Sequence, residues 1–356
     1  MLKEDSLTDS TSLFNEDFLE YAMVRGFENL HFKIDSKTGL KAIIAIHSTK
    51  LGPALGGCRF IEYADSMSAV RDAMRLARGM SYKSASVNLP LGGGKAVIIK
   101  PKGAYDRVAF MQQFGAFVEQ LNGRYITALD SGTELADMDV IGEYTNHVAS
   151  LSKYNGDPSP YTAQGVFKGI QAAVAYKLDK EKLEGLHIAV QGLGHVGYSL
   201  CKLLHNEGVK LTVSDIQPGN VQKAIAAFGA TAVETDKIHQ VPCDVFSPCA
   251  LGAVLNERTI PELETKIVAG AANNQLANAH CGRLLHDRDI LFAVDYVINA
   301  GGLIYAASKY FGDSEALVSS KVNHIYDSLT HIFVEAESIH LPISEIADSL
   351  AQEKIG

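Results

Sequence analysis

Two lysines and a carboxylate are the residues of this chain best placed to do chemistry. Lys83 stands at the end of a helical pattern in which Ala69, Ala73, Leu76, Ala77 and Met80 recur at helix spacing. Lys95 follows Gly92-Gly93-Gly94 and opens the run Ala96-Val97-Ile98-Ile99. Such a run reads as a strand buried along most of its length. A lysine at its start sits at the edge of a dry region, where the charged form is disfavoured and acid/base work becomes available. The three glycines permit backbone angles closed to other residues and let a ligand approach the chain. One cleft can use the two lysines as an anion-binding charge and a proton carrier. Residue type alone favours solvated surface lysines, and the three glycines before Lys95 bring the two readings level. Asp130 lies just past the strand pattern Arg124–Leu129, where open α/β sheets place their sites. It is also a suitable N-cap for a helix over Glu134–His147.

A second constellation is Gly192-Leu193-Gly194-His195-Val196-Gly197. It follows the strand pattern His187–Gln191 at once and opens a helix over Tyr198–Asn206. The next strand, Lys210–Ser214, ends in Asp215. A lone Gly-x-Gly-x-x-Gly is a weak signal, but strand, turn, helix and downstream acid together describe a dinucleotide site. The glycines allow the tight turn, the approach of a pyrophosphate and close helix–strand packing, and the helix N-terminus supplies amides to the phosphates. Asp215 would accept hydrogen bonds from ribose hydroxyls and repel a 2′-phosphate, which selects NAD over NADP.

These groups need a two-domain scaffold. At 356 residues the chain suits about two domains. The expected class is α/β: an N-terminal α/β substrate-binding and catalytic domain over 1–150, and a Rossmann-type NAD-binding domain over 151–325. C-terminal helices over 326–356 are expected to pack back on the first domain or on a second subunit. The active site is expected in the cleft between the domains. The turn-rich stretch Tyr154–Tyr161, with its two prolines, marks the boundary. Thr162 follows as the N-cap of a helix through Tyr176. In the first domain, Lys41–His47 is a buried strand, and Gly56-Gly57 reads as a turn before a second short strand or as a backbone surface for a substrate. Ala271-Ala272-Asn273-Asn274-Gln275 lies after the strand pattern Lys266–Ala269, and its adjacent asparagines serve either a ligand or a turn.

Composition narrows the function classes. With 47% hydrophobic and 21% charged residues the chain has the balance of a soluble globular protein. A net charge of −9 offers no basic face to nucleic acid. No apolar run approaches the roughly 20 residues of a membrane helix. The polar, acidic opening Met1–Phe18 is unlike a signal peptide. The 5 cysteines are scattered without a Cys-x-x-Cys pair, so reduced thiols and a cytoplasmic location are expected.

Five motifs occur in one order: Leu55-Gly56-Gly57-Cys58-Arg59, Met80-Ser81-Tyr82-Lys83, Leu91-Gly92-Gly93-Gly94-Lys95, Asp130-Ser131-Gly132-Thr133 and Ala272-Asn273-Asn274-Gln275-Leu276. Together they resemble the amino-acid dehydrogenases of the glutamate/leucine/phenylalanine/valine group, over about Lys41 to Gly312, with the leucine branch nearest. The resemblance implies NAD-dependent, reversible oxidative deamination of an amino acid to its 2-oxo acid. It casts Lys83 as the ligand of the substrate α-carboxylate, helped by the backbone at Gly56 and Gly57. Lys95 matches the lysine that activates water, and Asp130 the carboxylate that takes a proton from the amine. Asn273 or Asn274 matches a residue near the nicotinamide and substrate, and Thr162 one near the carboxamide. Leu55 stands where glutamate enzymes resemble one another in carrying a lysine. With Val297 it would form an apolar wall and leave a γ-carboxylate unpaired. Leucine, valine and isoleucine are the implied substrates, with an aromatic amino acid as the alternative and a non-catalytic NAD-binding sensor as the rival of another class. No metal is called for. The family also implies a homo-oligomer. Cys58 and Pro90 depart from the usual pattern of the leucine branch.

Overall fold

The computed structural model describes Phe14 and residues 17–154, 156–250 and 252–356. Most of the polar opening Met1–Phe18, and Asn155 of the boundary stretch, lie outside the described residues. The chain divides into two units. One contains the described residues up to Gly156 together with Ala306–Asp313 and Ala351–Gly356, and the other contains Asp157–Tyr305 and Ser314–Leu350.

In the first unit the elements are α1 (Phe18–Val24), β1 (Asn29–Asp35), β2 (Leu40–Ser48), β3 (Ala54–Ile61), α2 (Ser66–Ser86), β4 (Gly92–Ile99), α3 (Arg107–Glu119), β5 (Tyr125–Leu129) and α4 (Leu135–Gly142). The strands form one sheet in the order β1-β2-β4-β3-β5. β3 runs parallel to β4 and β5, while β1 and β2 are antiparallel additions at one edge. The period of two along each strand feeds two cores. Ile43, Ala45 and Val97 pack with Ala69, Ala73, Met74 and Ala77 of α2. Ile44, Cys58, Ala96 and Ile98 pack with Phe110, Phe114 and Met138 of α3 and α4. α2 begins where its cap says it should, with the Asp65 carboxylate accepting the Ser68 amide at 2.7 Å.

Two local expectations fail here. Gly56 and Gly57 lie within β3 rather than in a turn, and Gly92–Gly94 are themselves the start of β4. Close packing requires these glycines. A Cβ on Gly93 would stand 2.0 Å from the Ser81 nitrogen, and one on Gly56 1.7 Å from the Gly94 oxygen. Asp130 does not cap a helix. The helix is α4, which ends at Gly142, and its cap is Glu134, whose amide donates to the Asp137 carboxylate at 2.7 Å.

The second unit contains α5 (Ser159–Leu178), β6 (His187–Gln191), α6 (His195–Asn206), β7 (Lys210–Ser214), α7 (Pro218–Phe228), β8 (Thr231–Ala232), β9 (Cys243–Pro248), β10 (Thr265–Val268), α8 (Ala279–Asp287), β11 (Leu291–Phe292), α9 (Asp295–Ile298), α10 (Gly301–Phe311), α11 (Glu315–Asn323), α12 (Ile325–Ile339) and α13 (Ile343–Ile355). α10 and α13 each have their C-terminal part in the first unit. The strands form a parallel sheet, β11-β10-β9-β6-β7-β8. The first strand, β6, is central, as in a doubly wound fold whose ligand sits where the strand order reverses. The C-terminal helices differ from the expectation that 326–356 packs on the first domain. α12 packs on α5 of the second unit, and only Ala351–Gly356 groups with the first. The cause is a groove on α5, where a Cβ on Gly165 would meet Ile325 Cδ1 at 2.7 Å and one on Gly169 would meet Leu329 Cδ1 at 2.8 Å.

Candidate active site

In the first unit Lys95 and Asp130 form an ion pair. Lys95 is only 6% exposed. It shares a face of β4 with Gly93, which touches Ser81 of α2, and with Val97, which packs on α2. Asp130 follows β5, and β3 lies between β4 and β5 in the sheet. The pair therefore reaches across β3, and Gly57 is what makes room: a Cβ there would stand 2.7 Å from the Asp130 Cβ. Leu55, 1% exposed, lies two residues before Gly57 on that strand face, with Gly93 and Ile126 as its neighbours on the flanking strands. Gly56 turns its carbonyl to the buried Tyr125 hydroxyl, which donates to it at 2.6 Å. Lys83 is half-buried in the last turn of α2, the helix that covers the Lys95 face.

Burial alone would raise the Asp130 carboxyl. The Lys95 ammonium, the Ser131 amide and Arg59 outweigh it and hold the group below the ordinary carboxylate range. Arg59 donates from Nε to Asp130 at 3.3 Å and from Nη1 to Asp72 at 2.8 Å. Burial pushes the Cys58 thiol well up, so it stays neutral behind the pair. A buried ammonium beside an ionised carboxylate is a proton-transfer pair, and the missing side chain of Gly57 lets the two meet across β3.

In the second unit the turn after β6 meets the requirements of a dinucleotide. Gly192 has φ +95°, closed to most side chains. A Cβ on Gly197 would lie 2.0 Å from the Gly192 oxygen, so helix and turn pack against one another there. A Cβ on Gly194 would meet nothing within 4 Å, which leaves an open approach for a pyrophosphate. His195, exposed, and Val196, half-buried, form the first turn of α6, whose N-cap is Gly194. Asp215 accepts the Leu193 amide at 2.6 Å and the Gln217 amide at 2.7 Å, so its carboxylate is fixed beside the turn. The buried Gln191 Oε1 and Ser214 Oγ, at the ends of neighbouring strands, lack a hydrogen-bond partner in the structure. The turn, the open Gly194 face and the anchored acid fit a dinucleotide.

The first family model to match, described as the Glu/Leu/Phe/Val dehydrogenase dimerisation domain, covers residues 27–147. A second, described as Glutamate/Leucine/Phenylalanine/Valine dehydrogenase, covers 219–348. The chain belongs to this family. It is 45% identical to a leucine dehydrogenase of Geobacillus stearothermophilus over 342 residues, 95% of this chain and 93% of the relative. It is also 45% identical to an L-tryptophan dehydrogenase of Nostoc punctiforme over 332 residues, 93% of this chain and 94% of the relative. The crystal structure of L-tryptophan dehydrogenase from that organism matches with a TM-score of 0.87 and 42% identity, covering 95% of this chain and 98% of that one. The protein is thus an amino-acid dehydrogenase, an oxidoreductase of the family whose Rossmann-type domain takes a nicotinamide dinucleotide.

Within this dehydrogenase the remaining predicted residues fall as follows. Thr162 lies inside the first turn of α5 rather than at its cap, and its hydroxyl donates to the Pro158 carbonyl at 3.2 Å. Asn273 and Asn274 are both exposed, so neither needs its amide satisfied by burial. Asn274 takes φ +52°, a conformation asparagine tolerates. Asn273 Oδ1 accepts the amide of Asn299 at 2.8 Å. Val297 is fully buried in α9. Sequence reasoning missed two groups: Asn299, 5% exposed and holding Asn273, and Arg59, which was noticed only as part of a motif. The signal for Arg59 was its position two residues after Gly57 on one strand, which places both on one face.

Proposed function

We propose that the protein catalyses the reversible, NAD-dependent oxidative deamination of a branched-chain L-amino acid, leucine with valine and isoleucine, to the 2-oxo acid and ammonium. The observation that carries the chemistry is the ion pair of buried Lys95 with half-buried Asp130 across Gly57. A bound dinucleotide supplies the hydride acceptor for the substrate α-carbon. Lys83 binds the α-carboxylate, with the backbone at Gly56 and Gly57 alongside. Asp130 takes a proton from the substrate ammonium, and the electron pair stays on nitrogen. Lys95 then activates the water that adds to the imine carbon and returns protons as ammonium leaves. Gly192, Gly194, His195, Val196, Gly197 and Asp215 hold the dinucleotide. The Asp215 carboxylate would accept hydrogen bonds from ribose hydroxyls and repel a 2′-phosphate, which favours NAD. Thr162 and Asn273 attend the nicotinamide end, and Asn274 stands near the substrate.

Leu55 supports an apolar substrate, because a buried leucine offers nothing to a γ-carboxylate. Val297 adds a second apolar surface. The L-tryptophan dehydrogenase relative keeps an aromatic substrate as the second reading. Five free thiols suit a reducing cytoplasm. The protein acts as a homo-oligomer on small molecules.

The chemical assignment is tested by two variants. Lys95→Ala should lower kcat by about 10²–10⁴-fold, the usual size of general acid–base catalysis, while NADH binding stays unchanged. Lys83→Ala should act mainly by raising KM, because its charge holds the carboxylate in ground and transition states alike. Near-normal kcat in Lys95→Ala would remove Lys95 from the chemistry.

A further inference from the structure

Asp130 is gripped from two directions. Its Oδ2 takes the Lys95 ammonium and also the Arg59 Nε at 3.3 Å, while Oδ1 accepts the Ser131 hydroxyl at the long distance of 3.4 Å. Arg59 is itself fixed at its far end. Its Nη1 donates to Asp72 Oδ2 at 2.8 Å, the Tyr63 hydroxyl donates to the same oxygen at 2.7 Å, and Arg75 holds Asp72 Oδ1 at 3.1 Å. Arg59 and Asp72 are both partly buried, with side chains 24% and 15% exposed, so this is not a solvated surface pair. A planar guanidinium bound at both ends has little rotational freedom, which a lysine or a water at that place would not match. The chain of contacts runs from α2, which carries Asp72 and Lys83, through β3 to the carboxylate beyond β5.

We infer that Arg59, anchored by Asp72, is the positioning residue that commits Asp130 Oδ2 to two cations and leaves Oδ1 to receive the substrate proton. The inference rests on the proposed role of Asp130 as proton acceptor. In that step the N–H bond of the substrate ammonium breaks, an O–H bond forms at Oδ1, and the electron pair remains on nitrogen. Rotation of the carboxylate would exchange the two oxygens. Arg59 opposes it, because its Nε binds Oδ2 while Asp72 holds its Nη1 in place. Arg59 also adds positive charge beside a carboxylate that must be ionised to accept the proton. Lys95 from β4 also faces that carboxylate, and the neutral Cys58 thiol of β3 and the Tyr125 phenol of β5 lie within its electrostatic reach on the core side. Asp137 of α4 lies farther back, paired with Arg107. Loss of Arg59 therefore removes a charge that favours ionisation, and the Asp130 titration moves to higher pH.

The experiment compares Arg59→Met, Arg59→Lys, Asp72→Asn and Asp130→Asn in the full chain, with NAD and the amino acid of highest turnover. Arg59→Met should lower kcat by about 10-fold or more with KM within about 3-fold, the pattern of an interaction that matters in the transition state. The acid limb of its kcat/KM profile should move to higher pH. Arg59→Lys should recover part of the rate. Asp72→Asn, which leaves Arg59 in place but unanchored, should move the limb the same way by less. If Arg59→Met does not fold, Asp72→Asn carries the test alone. Wild-type kcat and an unmoved limb in the folded variants overturn the role of Arg59, as does a loss confined to KM. If Asp130→Asn is itself near wild type, the reading of Asp130 fails instead, and the two failures are thereby told apart.

Discussion

His47 shows how burial, more than any neighbouring group, sets the behaviour of one residue. It is 2% exposed, with Nδ1 at 2.8 Å from the Ser81 hydroxyl, Nε2 at 3.2 Å from the Arg25 carbonyl and its ring edge-on to Phe27. Burial pushes its pKa down from 6.5 to about 4. The folded state thus keeps the ring neutral where the unfolded chain takes up a proton. Between those values the unfolded state binds more protons, so stability is full above pH 6.5 and falls as pH falls towards 4. The loss from pH 7 to pH 5 should be about 2 kcal/mol, read as a drop in the urea midpoint. His47→Gln keeps an amide for Ser81 and should flatten that drop. An unchanged drop in the variant would contradict the assignment. Lys95 and Asp130 stood out in the sequence because one opens a strand pattern and the other follows one. Arg59 was not, because its meaning comes from Asp72 and Asp130, which fold to it from α2 and from beyond β5.

At the scale of elements, most strands and helices followed from period, and the errors concern two caps, at Asp130 and Thr162, and the glycines. Gly56, Gly57 and Gly92–Gly94 look like turns because glycine usually marks turns. They lie in strands because neighbouring backbone and side chains occupy the space of their Cβ atoms, a fact that periodicity does not carry. Gly165 and Gly169 likewise decide where α12 packs. β1 presents a different problem. It stands at one edge of its sheet with Phe32 51% and Ile34 77% exposed, alternate residues on one face of an edge strand. Leu19, Met23 and Val24 of α1 are also exposed. An exposed apolar edge strand is a template for pairing with another chain. A second copy of this chain is the proposed partner, and β1 lies within the match to the family's dimerisation domain. Light scattering at micromolar concentration should return an oligomer, and Ile34→Lys should shift it towards smaller species. A wild-type monomer would refute the proposal.

At the scale of the whole molecule, the division into two units separates two kinds of work. The first unit carries Leu55, Lys83, Lys95 and Asp130, the residues proposed to act on the amino acid. The second carries the Gly192–Gly197 turn and Asp215, which fit the dinucleotide. The two-unit plan was legible because the chain passes at Gly156/Asp157, within a proline-rich turn, from a mixed sheet into regular strand–helix alternation. The side of the scaffold that takes the C-terminal helices was not legible, because apolar helix faces do not name their partner. The central claim is that this scaffold deaminates an apolar amino acid with NAD. Its most direct test is kcat/KM for NADH formation by the full chain with leucine, valine, phenylalanine, tryptophan and glutamate in turn. The expected result is that leucine gives the highest value, valine follows within the roughly 1–3 kcal/mol that a methylene is worth, phenylalanine and tryptophan fall below, and glutamate gives no measurable turnover. Turnover of glutamate, or binding of NADH without turnover of any of the five, would contradict it.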